Sequence, residues 1–168
     1  MSNGATGRVH RVGSPQSRRA TVTARDRGFT IVQEFAASAP FLFDIFTRPE
    51  HVSRVFATNG EDFAVCEIDL LVGGNYRYVM VTTNGTTCSF GGTYLEVDSP
   101  RRVVATWKFD GWPDVDAVES VEFEPIDEFT RVTWNLTFAD EAGRQKMVSA
   151  EGPLSNFASI ERYVREFS

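Results

Sequence analysis

Residues 62–138 alternate apolar and polar side chains with a period of two, and this pattern constrains the fold more than any other feature of the chain. A period of two predicts β-strands with one buried face and one solvated face. Because the connections between such short segments join antiparallel neighbours, the strands should form a meander. Glycine, proline and Asn-Gly turn signals divide the stretch into six predicted strands, at 63–71, 75–82, 87–97, 102–109, 117–124 and 129–138.

The segments on either side complete an α+β fold. Residues 29–35 alternate in the same way and predict a further strand at an edge of the sheet, and two short helices are expected near Pro40 and Pro49. From Pro153 onward, apolar residues recur at helical spacing, which predicts one long amphipathic helix. We therefore expect a helix-grip fold, in which a curved antiparallel sheet of about seven strands (β-α-α-β6-α) wraps around a long C-terminal helix.

Charge separates the first 28 residues from the rest of the chain. Residues 1–28 carry a net charge of +5 and few large apolar side chains, whereas the whole chain carries −6. Such a segment cannot bury enough surface to offset its ordering entropy, so we predict a disordered basic tail at 1–28 and one folded domain at 29–168. The acidic body disfavours nucleic acid as a partner. Without a membrane-length apolar run or a secretion signal, a cytoplasmic location is expected.

Four segments match a known superfamily in the same order along the chain. On these segments the chain resembles the START/Bet v 1-like (SRPBCC) superfamily, and within it the heat-shock-protein-90 ATPase activator-like domain family. The resemblance implies the helix-grip fold, a cavity between the sheet and the last helix, and a chaperone-linked stress-response role. Many members carry tryptophans near the cavity mouth, where this sequence has Val55-Phe56 and Gly152-Pro153. The matching segments are FDIFTRPEHVSRVF (43–56), EIDLLVGGNYRYVM (67–80), FGGTYLEVDSPRRVVATWKF (90–109) and EFTRVTWNLTF (128–138).

Few side chains have the chemistry for catalysis or metal binding. His10, His51, Cys66 and Cys88 lack the spacing of a zinc site, so no metal is predicted. We expect His51 to be structural or on the surface, and the two cysteines to be buried as small apolar groups. No catalytic residue and no cofactor are predicted.

The Gly73-Gly74 pair predicts a tight turn between two strands. Asp69 and Arg77 lie on facing strands across this turn and are expected to pair with each other. We interpret the pair as structural, and the alternative is a cationic anchor for a ligand.

A set of aromatic residues is predicted to face the C-terminal helix. This set forms either a plain core or a roofed apolar cavity whose tyrosine hydroxyls supply a few polar contacts. Val52 would help to shape the entrance of such a cavity. Its predicted lining residues are Phe56, Tyr76, Tyr78, Met80, Trp107, Phe123, Trp134, Leu154 and Phe157.

These observations favour a non-enzymatic domain that encloses a small hydrophobic or amphipathic molecule. Two alternatives stay open, namely a protein-interaction module linked to a chaperone and a cyclase- or hydrolase-like enzyme. The enzyme would need a carboxyl group with a raised pKa that faces the pocket, such as Glu34, Glu96 or Glu119. A homodimer stays open as an assembly.

Overall fold

The structure is a computed structural model that describes residues 16–167. Within this range no helix is both long and apolar enough to cross a membrane. The described elements are eight strands and four helices. In chain order they are β1 (Thr21–Arg25), β2 (Gly28–Phe35), α1 (Ala39–Thr47), α2 (Pro49–Val55), β3 (Asp62–Ile68), β4 (Asn75–Val81), β5 (Thr87–Asp98), β6 (Arg102–Phe109), β7 (Ala117–Ile126), β8 (Phe129–Phe138), α3 (Glu141–Lys146) and α4 (Glu151–Glu166).

The strands form one open, curved antiparallel sheet with the order β1-β2-β8-β7-β6-β5-β4-β3. The six strands predicted between residues 62 and 138 are confirmed as β3 to β8. The strand predicted at an edge, β2, lies instead between β1 and β8, with Ile31 opposite Trp134. The α+β helix-grip fold is therefore confirmed, with one strand more than the sequence predicts.

The additional strand, β1, lies in the segment that the sequence assigns to the disordered tail. β1 pairs with β2 from Arg25 opposite Gly28 onward, and all five of its residues are exposed. Arg18 adds an ion pair with Glu34 at 2.6 Å. A strand at the edge of a sheet needs backbone partners rather than buried side chains, so a criterion based on burial misses it. Part of the predicted tail, from residue 16 onward, thus contains a strand and an ion pair, and the tail prediction for 1–15 lies outside the described residues.

Both short helices begin where their prolines predict. Ser38 caps α1 and Pro40 stands in its first turn, while Pro49 opens α2. The sequence does not predict α3, because its six residues show no apolar periodicity. Asp140 caps this helix through a side-chain oxygen.

Helices α1 and α4 pack against one end of the inner face of the sheet. The Phe123 ring of β7 contacts the rings of Phe43 and Phe46 from α1, with centroids 5.5 Å apart in each pair. Phe157 of α4 packs against Phe35 of β2 at 6.0 Å. We call this region the packed end and define it by these five phenylalanines. Phe35, Phe43 and Phe123 fill the space between helices and sheet, and Phe46 and Phe157 lie at its border with the open part of the molecule.

Candidate ligand-binding cavity

At the other end of the sheet, the inner face and the C-terminal helix enclose a cavity of about 370 Å³. Strands β4 to β8 supply its floor, and residues 56–61 together with the first turns of α4 supply its rim. Asn59 and Gly152 line the cavity and are exposed, so both belong to the part of its rim that faces solvent. We call this region the hollow end.

Three tyrosines, Tyr76, Tyr78 and Tyr94, form one wall of the cavity, which we call the tyrosine trio. The Tyr76 ring centroid lies 5.0 Å from that of Tyr78 and 5.7 Å from that of Tyr94. The Tyr76 hydroxyl donates to the Thr106 carbonyl at 3.1 Å, whereas no described protein group accepts from the Tyr78 or Tyr94 hydroxyl. Burial is the main cause that raises the pKa of each phenol, so all three stay protonated donors at neutral pH.

A second wall, the aromatic wall, consists of Phe90, Trp107, Phe109 and Trp112. Ring centroids lie 5.0 Å apart for Phe90 and Phe109, and 5.1 Å apart for Phe109 and Trp112. Aromatic pairs at such distances contribute about 0.5–1.5 kcal/mol beyond the burial of their area. The wall is therefore held together by its own contacts and offers a preformed apolar surface.

One carboxyl group, that of Glu119 on β7, lies among these aromatic residues. Burial raises the pKa of Glu119 above its ordinary value, and a hydrogen bond from the Trp134 indole opposes part of the rise. Glu61 lines the rim and accepts from the Asn59 N–H at 2.7 Å. The described lining residues include no Lys, Arg or His, so no protein cation faces either carboxyl group across the cavity.

Strand register explains why Glu119 faces inward. It lies opposite Ala105 on β6 and Leu136 on β8, and both of these residues also line the cavity. Alternation along β7 puts Glu119 on the same face as Val121 and Phe123, which the sequence already places inward. The same alternation therefore favours Glu119 among the three carboxyl groups considered for an enzyme.

The other two carboxyl groups considered for an enzyme lie outside the cavity lining. Glu34 contacts Arg131 at 3.0 Å, in addition to Arg18. Glu96 contacts Arg102 at 3.2 Å. Both are thus paired with arginines, in contrast to Glu119.

The structure brings most of the predicted lining residues together and excludes two. Phe46 covers Phe123 from α1, so Phe123 belongs to the packed end. Leu154 packs against the core outside the cavity, because α4 turns Asn156 and Phe157 toward the cavity instead. The seven predicted residues that line the cavity are Phe56, Tyr76, Tyr78, Met80, Trp107, Trp134 and Phe157.

Sequence reasoning missed lining residues in loops and at the start of α4. Thr58 and Asn59 belong to the segment before β3, where no periodicity indicates a direction. Gly152-Pro153, noted as replacing a family tryptophan, do line the cavity. Val52, expected at the entrance, is fully buried and does not line it.

Arg77 pairs with a different residue from the one predicted. Its guanidinium contacts Asp110 through two hydrogen bonds, of 3.0 and 2.7 Å, instead of pairing with Asp69. The tight turn itself is confirmed, because Gly73 has a φ of 86° and a Cβ on Gly74 would lie 2.2 Å from the Asp69 carbonyl oxygen. Arg77 does not line the cavity, so this cluster is structural.

The histidine and the cysteines of the folded part have no arrangement suited to catalysis. His51 Nδ1 lies 2.8 Å from the Tyr163 hydroxyl and links α2 to α4. Burial, aided by nearby carboxylates, raises the pKa of Cys66 and of Cys88, which disfavours a reactive thiolate. Among residues 16–167, no group of three or more His, Cys, Asp or Glu could hold a metal ion.

Comparison with protein families gives one match. The model of the family described as activator of Hsp90 ATPase homolog 1-like protein matches residues 36–165. This range contains every residue that lines the cavity. A search of curated proteins finds no significant match.

Solved structures share the fold at low sequence identity. A Rhodobacter sphaeroides protein has a TM-score of 0.81 at 16% identity, over 89% of this chain and 100% of that chain. A Mycobacterium smegmatis protein has a TM-score of 0.79 at 23% identity, with the same coverage of 89% and 100%. An HSP90 activator from Plasmodium falciparum has a TM-score of 0.53 at 24% identity, over 66% of this chain and 72% of that chain. Similarity at this level shows the fold alone.

Proposed function

The chain belongs to the family of activator of Hsp90 ATPase homolog 1-like proteins, and from this premise we propose that it is a binding domain for a small hydrophobic or amphipathic molecule. The molecule would lie in the cavity between the inner face of the sheet and α4. Its apolar part would contact the aromatic wall. The tyrosine hydroxyls and the Glu119 carboxyl group would determine its orientation.

The observation that supports this proposal is the size and chemistry of the cavity. Its volume of about 370 Å³ falls within the range of small-molecule sites, which is roughly 300–1,000 Å³. Such sites are lined mainly by apolar and aromatic side chains, with a few polar groups that set orientation. The tyrosine trio, the aromatic wall and Glu119 have this composition.

Native mass spectrometry of freshly purified protein, compared with the denatured mass, tests the proposal directly. We expect an excess of a few hundred daltons in the native state that is lost on denaturation. A second readout is available because all three tryptophans, Trp107, Trp112 and Trp134, line the cavity. Their fluorescence should change in a saturable way on titration with n-octanol, and urea-denatured protein serves as the control. Equal native and denatured masses, together with no saturable change, would overturn the proposal.

A chaperone-linked role is the second candidate. The description of the family and the similarity to the Plasmodium falciparum HSP90 activator support it. An interaction of this kind would use the outer surface of the domain rather than the cavity. ATP hydrolysis by a purified Hsp90 chaperone, measured with and without the chain, tests it. A rise in turnover that persists when the cavity is filled by Ala105→Leu would assign the activity to the outer surface.

Glu119 gives the enzyme alternative its support. A carboxyl group with a raised pKa inside a cavity has the properties of a general acid or base. Chemical conversion of the bound molecule, lost in Glu119→Gln, would establish this alternative. Release of the molecule unchanged from both proteins would favour binding alone.

A further inference from the structure

We propose that the molecule held in the cavity is an amphipathic amine, whose ammonium group pairs with the Glu119 carboxylate while its apolar body contacts the aromatic wall. This inference rests on the proposed binding function and specifies the class of ligand. It follows from the charge of the cavity lining and from the position and the surroundings of Glu119.

The charge of the cavity lining has one sign. Its described ionisable groups other than tyrosine and cysteine are the carboxyl groups of Glu119 and Glu61. The basic side chains of the neighbouring strands pair outside the cavity: Arg77 contacts Asp110 at 2.7 Å and Lys108 contacts Asp116 at 2.6 Å. An anionic ligand would therefore enter a cavity that offers it no cation, whereas a cationic ligand would find its counter-charge.

The position of Glu119 leaves room for a partner group. Across the sheet it stands between Ala105 and Leu136, and all three residues line the cavity, so Glu119 borders its open volume. Its protein partner is the Trp134 indole, which supplies a single N–H, while a carboxylate can accept several hydrogen bonds. An ammonium group carries three donors and a full positive charge, so it would offset the cost of burying the carboxylate.

The aromatic surroundings also favour a cation. The rings of the tyrosine trio and the aromatic wall line the cavity, and the π face of such a ring attracts a cation. The same rings provide the apolar area that an alkyl or aryl body needs. The cavity thus offers two kinds of contact. A carboxylate and aromatic rings suit the ammonium group, and an apolar wall suits the alkyl or aryl body.

Three probes with one alkyl chain and different head groups test the proposal. n-Octylamine, n-octanol and n-octanoate are titrated at pH 7 and about 0.15 M salt, where long-range attraction between exposed charges is largely screened. Tryptophan fluorescence and calorimetry measure their dissociation constants. We expect n-octylamine to bind at least tenfold more tightly than n-octanoate, and more tightly than n-octanol.

Matched variants assign this preference to one residue. Glu119→Gln should remove the advantage of the amine over the alcohol. Glu122→Gln makes the same change of charge on the outer face of β7, where Glu122 is exposed and pairs with Arg102, and should keep the preference. If Glu119→Gln does not fold, the order of the three probes on the wild-type chain still decides the question.

The possible failures are distinct. Tighter or equal binding of n-octanoate, or an amine preference that persists in Glu119→Gln, would overturn the amine inference and leave the binding function standing. Absence of binding by all three probes would overturn both proposals.

Discussion

The packed end and the hollow end of this molecule share one sheet and the same kind of aromatic side chain, yet one is filled and the other is not. At the packed end, α1 places Phe43 and Phe46 directly on Phe123, with ring centroids 5.5 Å apart. At the hollow end, the first turns of α4 form a rim above the tyrosine trio and the aromatic wall, and about 370 Å³ stays open. The difference therefore lies in the helix that covers each end rather than in the residues of the sheet.

Two carboxyl groups on opposite faces of the sheet also differ in their partners. Glu34, on the β2 side of the sheet, has two arginine partners within 3.0 Å. Glu119 at the hollow end accepts from an indole and has no protein cation across the cavity. A carboxyl group without a cation in a roomy apolar cavity is costly for a structure that only needs to be stable, which suggests that the hollow end serves a ligand.

The largest expected difference between the two ends is in the response to loss of a ring. Phe123→Ala should cost about 3–5 kcal/mol, because it opens a new void among rings that cannot collapse onto it. Phe90→Ala should cost much less, nearer the ~1.5–3 kcal/mol of transfer alone, because its ring already borders open space. Urea unfolding of both variants measures these losses of stability. Equal losses with an unchanged m value would mean that the hollow end is packed in solution.

Addition of volume should also destabilise the packed end more than the hollow end. Ala39→Leu adds carbon atoms at a buried site of α1 and should cost about 1–3 kcal/mol by overpacking. Ala105→Leu adds the same atoms to the cavity floor, so it should change stability little and weaken n-octanol binding about tenfold, which is about 1.4 kcal/mol. Ala158→Leu on the exposed face of α4 is the control for the substitution itself. Unchanged affinity in Ala105→Leu would place the probe elsewhere.

Titration of Glu119 should give the hollow end its own dependence on pH. The folded pKa is raised, so above the unfolded value of about 4.3 the native state holds more protons than the unfolded state. Stability from this group therefore falls as pH rises from that value and levels off above the folded pKa. Glu119→Gln removes the decline and should gain stability over wild type between pH 4 and pH 7.

Urea midpoints of the two proteins across this range measure the effect, and a tenfold difference in proton affinity corresponds to about 1.4 kcal/mol. The other carboxyl groups are the same in both proteins, so their contributions to stability cancel in the difference. A difference between the two urea midpoints that stays constant with pH would contradict a raised pKa of Glu119.

The smallest effect is expected from the paired carboxylate. Glu34→Gln loses its ion pairs with Arg18 and Arg131, both of which are well exposed, so the loss should reach the upper part of the ~0.2–1 kcal/mol range. At pH 7, Glu34→Gln should lower the free energy of unfolding, whereas Glu119→Gln should raise it. Thermal unfolding at low and high salt checks it, since screening should reduce the loss. A stabilising Glu34→Gln would remove the contrast between the two carboxyl groups.

Much of this architecture is encoded locally and was accessible from the sequence. Alternation places Tyr76, Tyr78 and Trp107 on the inner face, and helical spacing predicts α4. The same alternation reaches Glu119, which is one of three carboxyl groups that the sequence offers for the pocket, and of these three the structure places Glu119 in the cavity lining. β1 could not be found in this way, because its stability comes from backbone pairing and not from a buried face.

Features set by the arrangement of elements were beyond the sequence. The removal of Phe123 from the cavity depends on where α1 lies, which no periodicity records. The partner of Arg77 depends on the adjacency of β4, β5 and β6, which brings Asp110 closer than its neighbour across the turn. The rotation of α4, which turns Asn156 inward and Leu154 aside, is set by the same tertiary packing.

The open sheet has two outer strands, and both are poor templates for pairing with another chain. β1 has only five residues and ends at Arg25, while β3 has exposed Asp62 and Glu67 and an irregular register between Phe63 and Val65. Short length, charge and a bulge are the means by which natural edge strands resist aggregation. Within residues 16–167, the eight-stranded sheet therefore lacks the long, flat edge on which the backbone of another chain could readily pair.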